Sequence, residues 1–266
     1  MIKVASLRYG VIFKKAFSKP HIFKAFVKDF LDIELEIDKV ETEKSFSPVI
    51  GKVDSHFDLF AEDKKHRTIV DIQHARNPDH YDRFLHYHCA ALLEQVANSK
   101  DYAPELNVFT IVVLTSGDKH GVDIATIDFD PKDRHGKELG EISHKILYLC
   151  PKYVSDDTPE RYNEWLRAIN DSLDEEVNED DYQRQEIKEI FNLIQQDLTT
   201  PQEYARMKDE YSAEVLRQDK YNEGLKKGKQ EGIKENAKKM LAKGLDVSLI
   251  AEITGLSIDE LKIQSN

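Results

Sequence analysis

The chain has 266 residues, and 50 Asp plus Glu against 38 Lys plus Arg leave a formal charge of −12. Hydrophobic residues make 40% and charged residues 33%, the balance of a globular protein with a wet surface rather than of a disordered chain. No stretch approaches the roughly 20 apolar residues that cross a bilayer, which excludes a membrane span. The net charge speaks against a protein that simply coats nucleic acid, because phosphates repel it overall, but it leaves room for a local basic surface.

The segment from Met1 to Gly10 lacks the apolar run of a signal peptide. Cys89 and Cys150 form no C-x-x-C pair. These features predict a cytoplasmic chain with neither a disulfide framework nor a structural zinc site. From Val11 to Leu31, apolar residues recur at helical spacing, and Pro20 divides them into two short helices, with Ser18 placed to cap the second. Val53 to Ala75 reads as a β-hairpin. Its first strand, Val53 to Ala61, sets Val53, Phe57 and Leu59 against Asp54, His56 and Asp58. Its turn is Glu62 to His66, and its second strand runs from Thr68 to His74 with β-branched Ile69, Val70 and Ile72.

A helix follows from Asp79 to Ser99, striped by Tyr81, Phe84, Leu85, His88, Leu92 and Val96. Val108 to Leu114 is a buried-strand run, and weaker strands are predicted at Val122 to Phe129 and Glu141 to Leu149. From Pro159 onward the pattern is mostly helical. The order predicts an α/β core with a mixed β-sheet flanked by helices, residues 1–200, and a helical C-terminal appendage, residues 201–266. Charge marks the same division: Asp171 to Asp181 holds seven acids and no base, while Arg217 to Lys243 holds nine bases and four acids.

The main chemical signal is Asp58 with Asp71. Side chains alternate along a strand, so Asp71 and Gln73 share a face, and hairpin pairing brings Asp58 beside them. Two carboxylates in mid-strand repel each other unless a cation sits between them or one keeps its proton. Oxygen donors suit Mg²⁺ or Mn²⁺ rather than zinc. The plain alternative is a hairpin whose polar face is merely solvated. The tripeptide alone is a weak signal, since Asp181 and Gln183 repeat it on a predicted helix.

The run from Asp58 to Asp71-Ile72-Gln73 resembles the core of the PD-(D/E)XK nuclease family transposases, also called the Rpn or recombination-promoting nuclease family. Phe13-Lys14-Lys15-Ala16-Phe17 is similar to that family's N-terminal segment, and Arg83 with Tyr87 to its helix after the core. Gly224, Gly228 and Gly232 followed by Ile250 to Ser257 resemble its C-terminus. The resemblance implies a restriction-endonuclease-like core cleaving DNA with a divalent metal, in recombination or transposition. It implies Asp58, Asp71 and the Ile72 carbonyl as metal ligands, with Gln73 where a lysine is usual. Two departures stand out. Gly10 occupies a position that is often acidic in the family. Gln73 carries no positive charge, although it can orient a water or bond a phosphate oxygen. Asp54 is a reserve ligand on the same face. A catalytically degraded protein that binds DNA or a partner is the alternative, and a scaffold built on the acidic run and the tail is a third reading.

Arg83 and Tyr87 lie one helical turn apart; Arg83 reads as a phosphate contact and Tyr87 as packing. His88 falls on the apolar stripe as a core histidine, while His74 and His80 read as surface. In the tail, glycines at 224, 228 and 232 in a Lys/Glu-rich helix point either to close helix approach, as in a homo-oligomer, or to a flexible linker. The segment after Gly244 reads as helix–turn–helix, but Asp259 and Glu260 make it poor for DNA and favour a packing module. The basic helix before it, with Lys226, Lys227 and Lys229, is the better DNA contact.

Overall fold

The computed structural model describes residues 1–46, 55–74, 79–95 and 105–263. Among them the chain forms two units, Met1–Met207 and Lys208–Asn266. A short strand β1 (Ile2–Lys3) precedes helices α1 (Gly10–Phe17) and α2 (Pro20–Leu31), divided as Pro20 predicts. Ile12, Phe13, Ala16 and Phe17 of α1 and Ile22, Phe23, Phe26 and Val27 of α2 are all buried. Ser18 does not cap α2. It closes α1, donating its N–H to the Lys14 carbonyl at 3.0 Å, and α2 starts with Pro20, whose missing N–H is no loss in a first turn.

A strand not foreseen from the sequence, β2 (Glu41–Phe46), precedes the hairpin β3 (Ser55–Glu62) and β4 (His66–Gln73). Val53, Asp54 and Ala75 lie outside the described residues. Helix α3 (His80–Leu93) follows, ending before Val96, which also lies outside them. Then come β5 (Asn107–Leu114), β6 (Ile124–Asp128) and β7 (Lys145–Leu149). β7 begins later than the predicted Glu141. The Asp130 carboxylate accepts the N–H groups of Gly140, Glu141 and Ile142 at 2.7, 2.7 and 3.0 Å, which holds that stretch as a turn. α4 (Glu160–Asp171), β8 (Glu176–Val177), α5 (Gln185–Leu193), the 42-residue α6 (Pro201–Ala242), α7 (Val247–Thr254) and α8 (Ile258–Ile263) complete the order.

The fold is a mixed six-stranded sheet, ordered β2-β3-β4-β5-β7-β6 and flanked by helices, with a helical C-terminal region. β4, β5 and β7 run parallel, and the remaining neighbours are antiparallel. Leu59, Ala61, Val70, Ile111 and Val113 pack into one core with α1, α2, α4 and α5. Phe60, Ile69, Val112 and Leu114 pack into a second core with Phe84, Tyr87 and Ala91 of α3. The predicted alternation fails at one point: Phe57 joins Phe60 in the second core rather than Leu59 in the first, so the pleat slips at Asp58. Within the acidic run, Val177 is buried and β8 pairs with β1.

In the second unit, Ala237, Ile250 and Leu261 form a small core. Asp246 caps α7, accepting from the Ser248 and Leu249 N–H groups at 2.9 and 3.2 Å. Ser257 and Glu260 form a capping box at the start of α8, so Glu260 is committed to the turn. A side chain added at Gly224, Gly228 or Gly232 would meet nothing within 4 Å among the described residues. No described helix is long and apolar enough to cross a membrane.

Two histidines are buried. His80, expected on the surface, is buried beside Tyr81 and Tyr148. His88 is fully buried, stacks on Phe129 at 5.0 Å, and shares a 2.9 Å hydrogen bond with Thr110 Oγ1. Its Nε2 has no partner among the described residues. Burial, with His144 nearby, pushes its pKa down from 6.5 to about 3. The imidazole folds neutral, so its contribution is intact above pH 6.5 and is lost as the pH falls toward 3. Wild type should lose up to about 1.4 kcal/mol per pH unit in that window from this group alone. His88→Gln, which keeps a polar contact to Thr110 but cannot titrate, should show a shallower acid slope in denaturant unfolding at stepped pH. Equal slopes would mean that His88 is protonated in the fold.

Candidate active site

β3 and β4 pair from Glu62–Arg67 up to Leu59–Val70, where the ladder stops. One further step would set Asp58 opposite Asp71. There the side chains replace the ladder. The Asp58 N–H donates to Asp71 Oδ1 at 3.1 Å, and the Ile72 N–H donates to Asp58 Oδ2 at 3.1 Å. Each carboxylate stands in for a backbone carbonyl, and a buried N–H left without an acceptor would cost roughly 1–3 kcal/mol.

β2 is irregular at the same level. Thr42 pairs with Leu59 and Lys44 with Phe57, so Glu43 stands across from Asp58, with a φ of 57°. Glu43, Asp58 and Asp71 thus form a row over three adjacent strands, lining a cavity of about 340 Å³. Lys14 enters from α1, its ammonium 3.1 Å from Glu43 Oε1 and 3.5 Å from Asp58 Oδ1. Arg83 and Phe84 line the cavity from α3. The site therefore sits where the strands part, reached from both faces of the sheet.

Asp71 is 5% exposed. Burial first, and the Asp58 charge second, push its carboxyl well above the usual carboxylate range, while the Asp58 N–H, Arg83 and Lys14 pull it back. Its Oδ2 has no hydrogen-bond partner among the described residues. Such an atom calls for a proton or a cation. Two carboxylates and the Ile72 backbone are hard oxygen donors, a set that fits Mg²⁺ or Mn²⁺ completed by water or phosphate. No group of three His, Cys, Asp or Glu converges as a metal site among the described residues.

Of the residues singled out in the sequence, Asp58, Asp71 and Ile72 meet in the cavity. Gln73 stands beside it, its Oε1 accepting from Arg83 Nη1 at 3.5 Å. The Arg83 guanidinium lies over Phe84 and Tyr87 at 5.2 and 5.3 Å. Tyr87 is buried edge-on against Phe57 and Phe84, a packing residue. Asp54 lies outside the described residues. Lys226, Lys227 and Lys229 are exposed on α6, where Lys227 pairs with Glu223 at 2.7 Å. Glu43 and Lys14 were missed as site residues. The Phe13-Lys14-Lys15 segment was visible, but nothing in it told Lys14 from Lys15, which instead bonds Glu203 and the Leu198 carbonyl.

Residues 230–266 match a family model described as the C-terminal HTH domain of the Rpn/YhgA-like nuclease family. The match supports membership of the Rpn family. It falls on the α7–α8 unit and the end of α6. The family named by the tail is the one the hairpin resembles. No curated protein and no solved structure gives a significant match to the chain.

A carboxyl held above its usual 3.8 destabilises the fold once it must ionise, so stability from Asp71 is present at low pH and lost as the pH rises through its folded pKa. Asp71→Asn keeps an oxygen for the Asp58 N–H and carries no charge. In chelator at pH 7 it should melt at or above wild type, and the difference should vanish below about pH 4. A strongly lowered melting temperature at pH 7 would show that the charge itself holds the strands.

Proposed function

We propose that the chain is a metal-dependent DNA endonuclease acting at the Asp58–Asp71 cavity. The observation that carries this reading is the pair of carboxylates at the parting of β3 and β4, with a buried Asp71 oxygen lacking a partner among the described residues. Asp58, Asp71 and the Ile72 carbonyl would hold Mg²⁺ or Mn²⁺. Such an ion, when bound, acidifies a water and neutralises charge on a phosphate. Arg83, steadied on two rings and bonded to Gln73, is placed to meet a phosphodiester at the cavity mouth. The reaction is hydrolysis: the water oxygen bonds phosphorus, one P–O ester bond breaks, the water gives up a proton and the leaving alkoxide takes one. The matched tail domain is described as HTH, a unit that in other proteins sets a helix in the DNA groove, and the basic stretch of α6 offers Lys226, Lys227 and Lys229 to phosphates.

A second reading is a non-cleaving relative that binds DNA or a partner. It is favoured by Gly10 and by the ammonium of Lys14 resting on Asp58.

Purified protein should nick supercoiled plasmid in Mg²⁺ or Mn²⁺, stop in EDTA, and lose the activity in Asp71→Asn, which keeps the acceptor for the Asp58 N–H. Undiminished nicking by that variant would remove the site assignment, and no nicking by wild type would leave the second reading. For the tail, deleting Arg217 to Asn266 should weaken duplex binding. Each lost phosphate contact should flatten the log–log salt slope by about 0.9. A slope identical to wild type would place all DNA contacts in the first unit.

A further inference from the structure

We propose that Lys14 is a second phosphate-contacting cation of the Asp58–Asp71 site, beside Arg83, and that Glu43 holds it there. The proposal rests on the endonuclease reading and names the residue that supplies the positive charge Gln73 lacks. Among the described residues, Lys14 and Arg83 bring positive charge to the cavity lining. Arg83 is fixed in orientation at the cavity mouth, stacked over two rings and bonded to Gln73. Lys14 is different in kind. Its ammonium sits at the end of a flexible stem, 17% exposed, shared between Glu43 at 3.1 Å and Asp58 at 3.5 Å. An ammonium is a point charge with three rotatable donors, able to exchange one oxygen partner for another without leaving its place.

The backbone of β2 departs from strand geometry at this contact: Glu43 takes a φ of 57°, disfavoured for a non-glycine strand residue. That conformation sits directly across from Asp58, and the Glu43 carboxylate meets both Lys14 and, at 3.5 Å, Arg206. Lys14 pulls the Glu43 carboxyl below its usual range, so Glu43 stays ionised as an anchor. A divalent cation on Asp58 and Asp71 would repel the ammonium from Asp58 while Glu43 kept it at the cavity. A scissile phosphate would then offer a non-bridging oxygen in place of Asp58. Lys14 makes and breaks no covalent bond in this role. It neutralises charge that grows on phosphorus oxygens as water adds.

The test compares full-length wild type, Lys14→Gln, Lys14→Arg, Glu43→Gln and Asp71→Asn. Plasmid nicking in Mn²⁺ is measured, and Mn²⁺ affinity is read separately from the free-ion spin-resonance signal. Lys14→Gln should lower nicking by about 100-fold or more, as loss of one charge-stabilising donor does elsewhere. Its Mn²⁺ affinity should equal or exceed that of wild type, because a competing charge has gone. Lys14→Arg should recover part of the rate, and Glu43→Gln should lower it less than Lys14→Gln does. Lys14→Met is the second neutral variant should Lys14→Gln fail to fold. Nicking by Lys14→Gln at the wild-type rate, with Asp71→Asn inactive, would overturn this proposal alone. A parallel loss of Mn²⁺ affinity and nicking would overturn it too, making Lys14 a support of the metal carboxylates. Absence of Asp71-dependent nicking in wild type would overturn the endonuclease reading, and this proposal with it.

Discussion

The first unit is organised around an interruption. Two neighbouring strands pair regularly until Leu59 and Val70, and then two aspartates complete the hydrogen bonds that the backbone abandons. Like charges brought together in a buried place are unfavourable unless something positive joins them. Lys14 reaches that spot from a helix of one core and Arg83 from a helix of the other. Both helices must therefore be seated on the sheet before the carboxylates have their counter-charges. The large apolar surfaces of α1 and α3 serve that placement as well as stability.

Much of this was legible from local pattern. The β-branched run at Thr68 to Ile72 marked a strand, Pro20 marked a helix boundary, and Phe84 and His88 marked the buried side of α3. These signals are carried by residues next to one another in the chain. What escaped depends on distant partners. β2 reads Glu-Thr-Glu-Lys-Ser-Phe, with no apolar alternation, because it is an edge strand whose order comes from pairing with β3. Glu43 was hidden with it. Lys14 sits on an amphipathic helix, where a lysine ordinarily means solvent. The slip of the pleat at Asp58 is also invisible to a period-two pattern, which puts Phe57 on one face with Leu59 although the two pack into different cores.

The second unit shows the same limit in milder form. Its turn residues announced themselves: Gly244 and Gly255 both adopt positive φ where helices end. Acidic residues at the start of α8 argued against DNA, yet Glu260 is used in capping and says little about what the outer face meets. The family model matched there is itself described as an HTH domain, in agreement with the helix–turn–helix reading of the segment after Gly244.

Using a side chain in place of a backbone acceptor has a consequence for how such a site decays over generations. Asparagine differs from aspartate by one nucleotide in the codon and retains the oxygen that the neighbouring N–H requires. A lineage can therefore lose the charge at 58 or 71 without losing the strand geometry, and selection for folding alone would not notice. Alanine removes the acceptor and exposes the loss at once as instability. A protein that keeps this fold without the two charges should thus carry amides at these positions far more often than small apolar residues, a chemical fossil of the carboxylate pair.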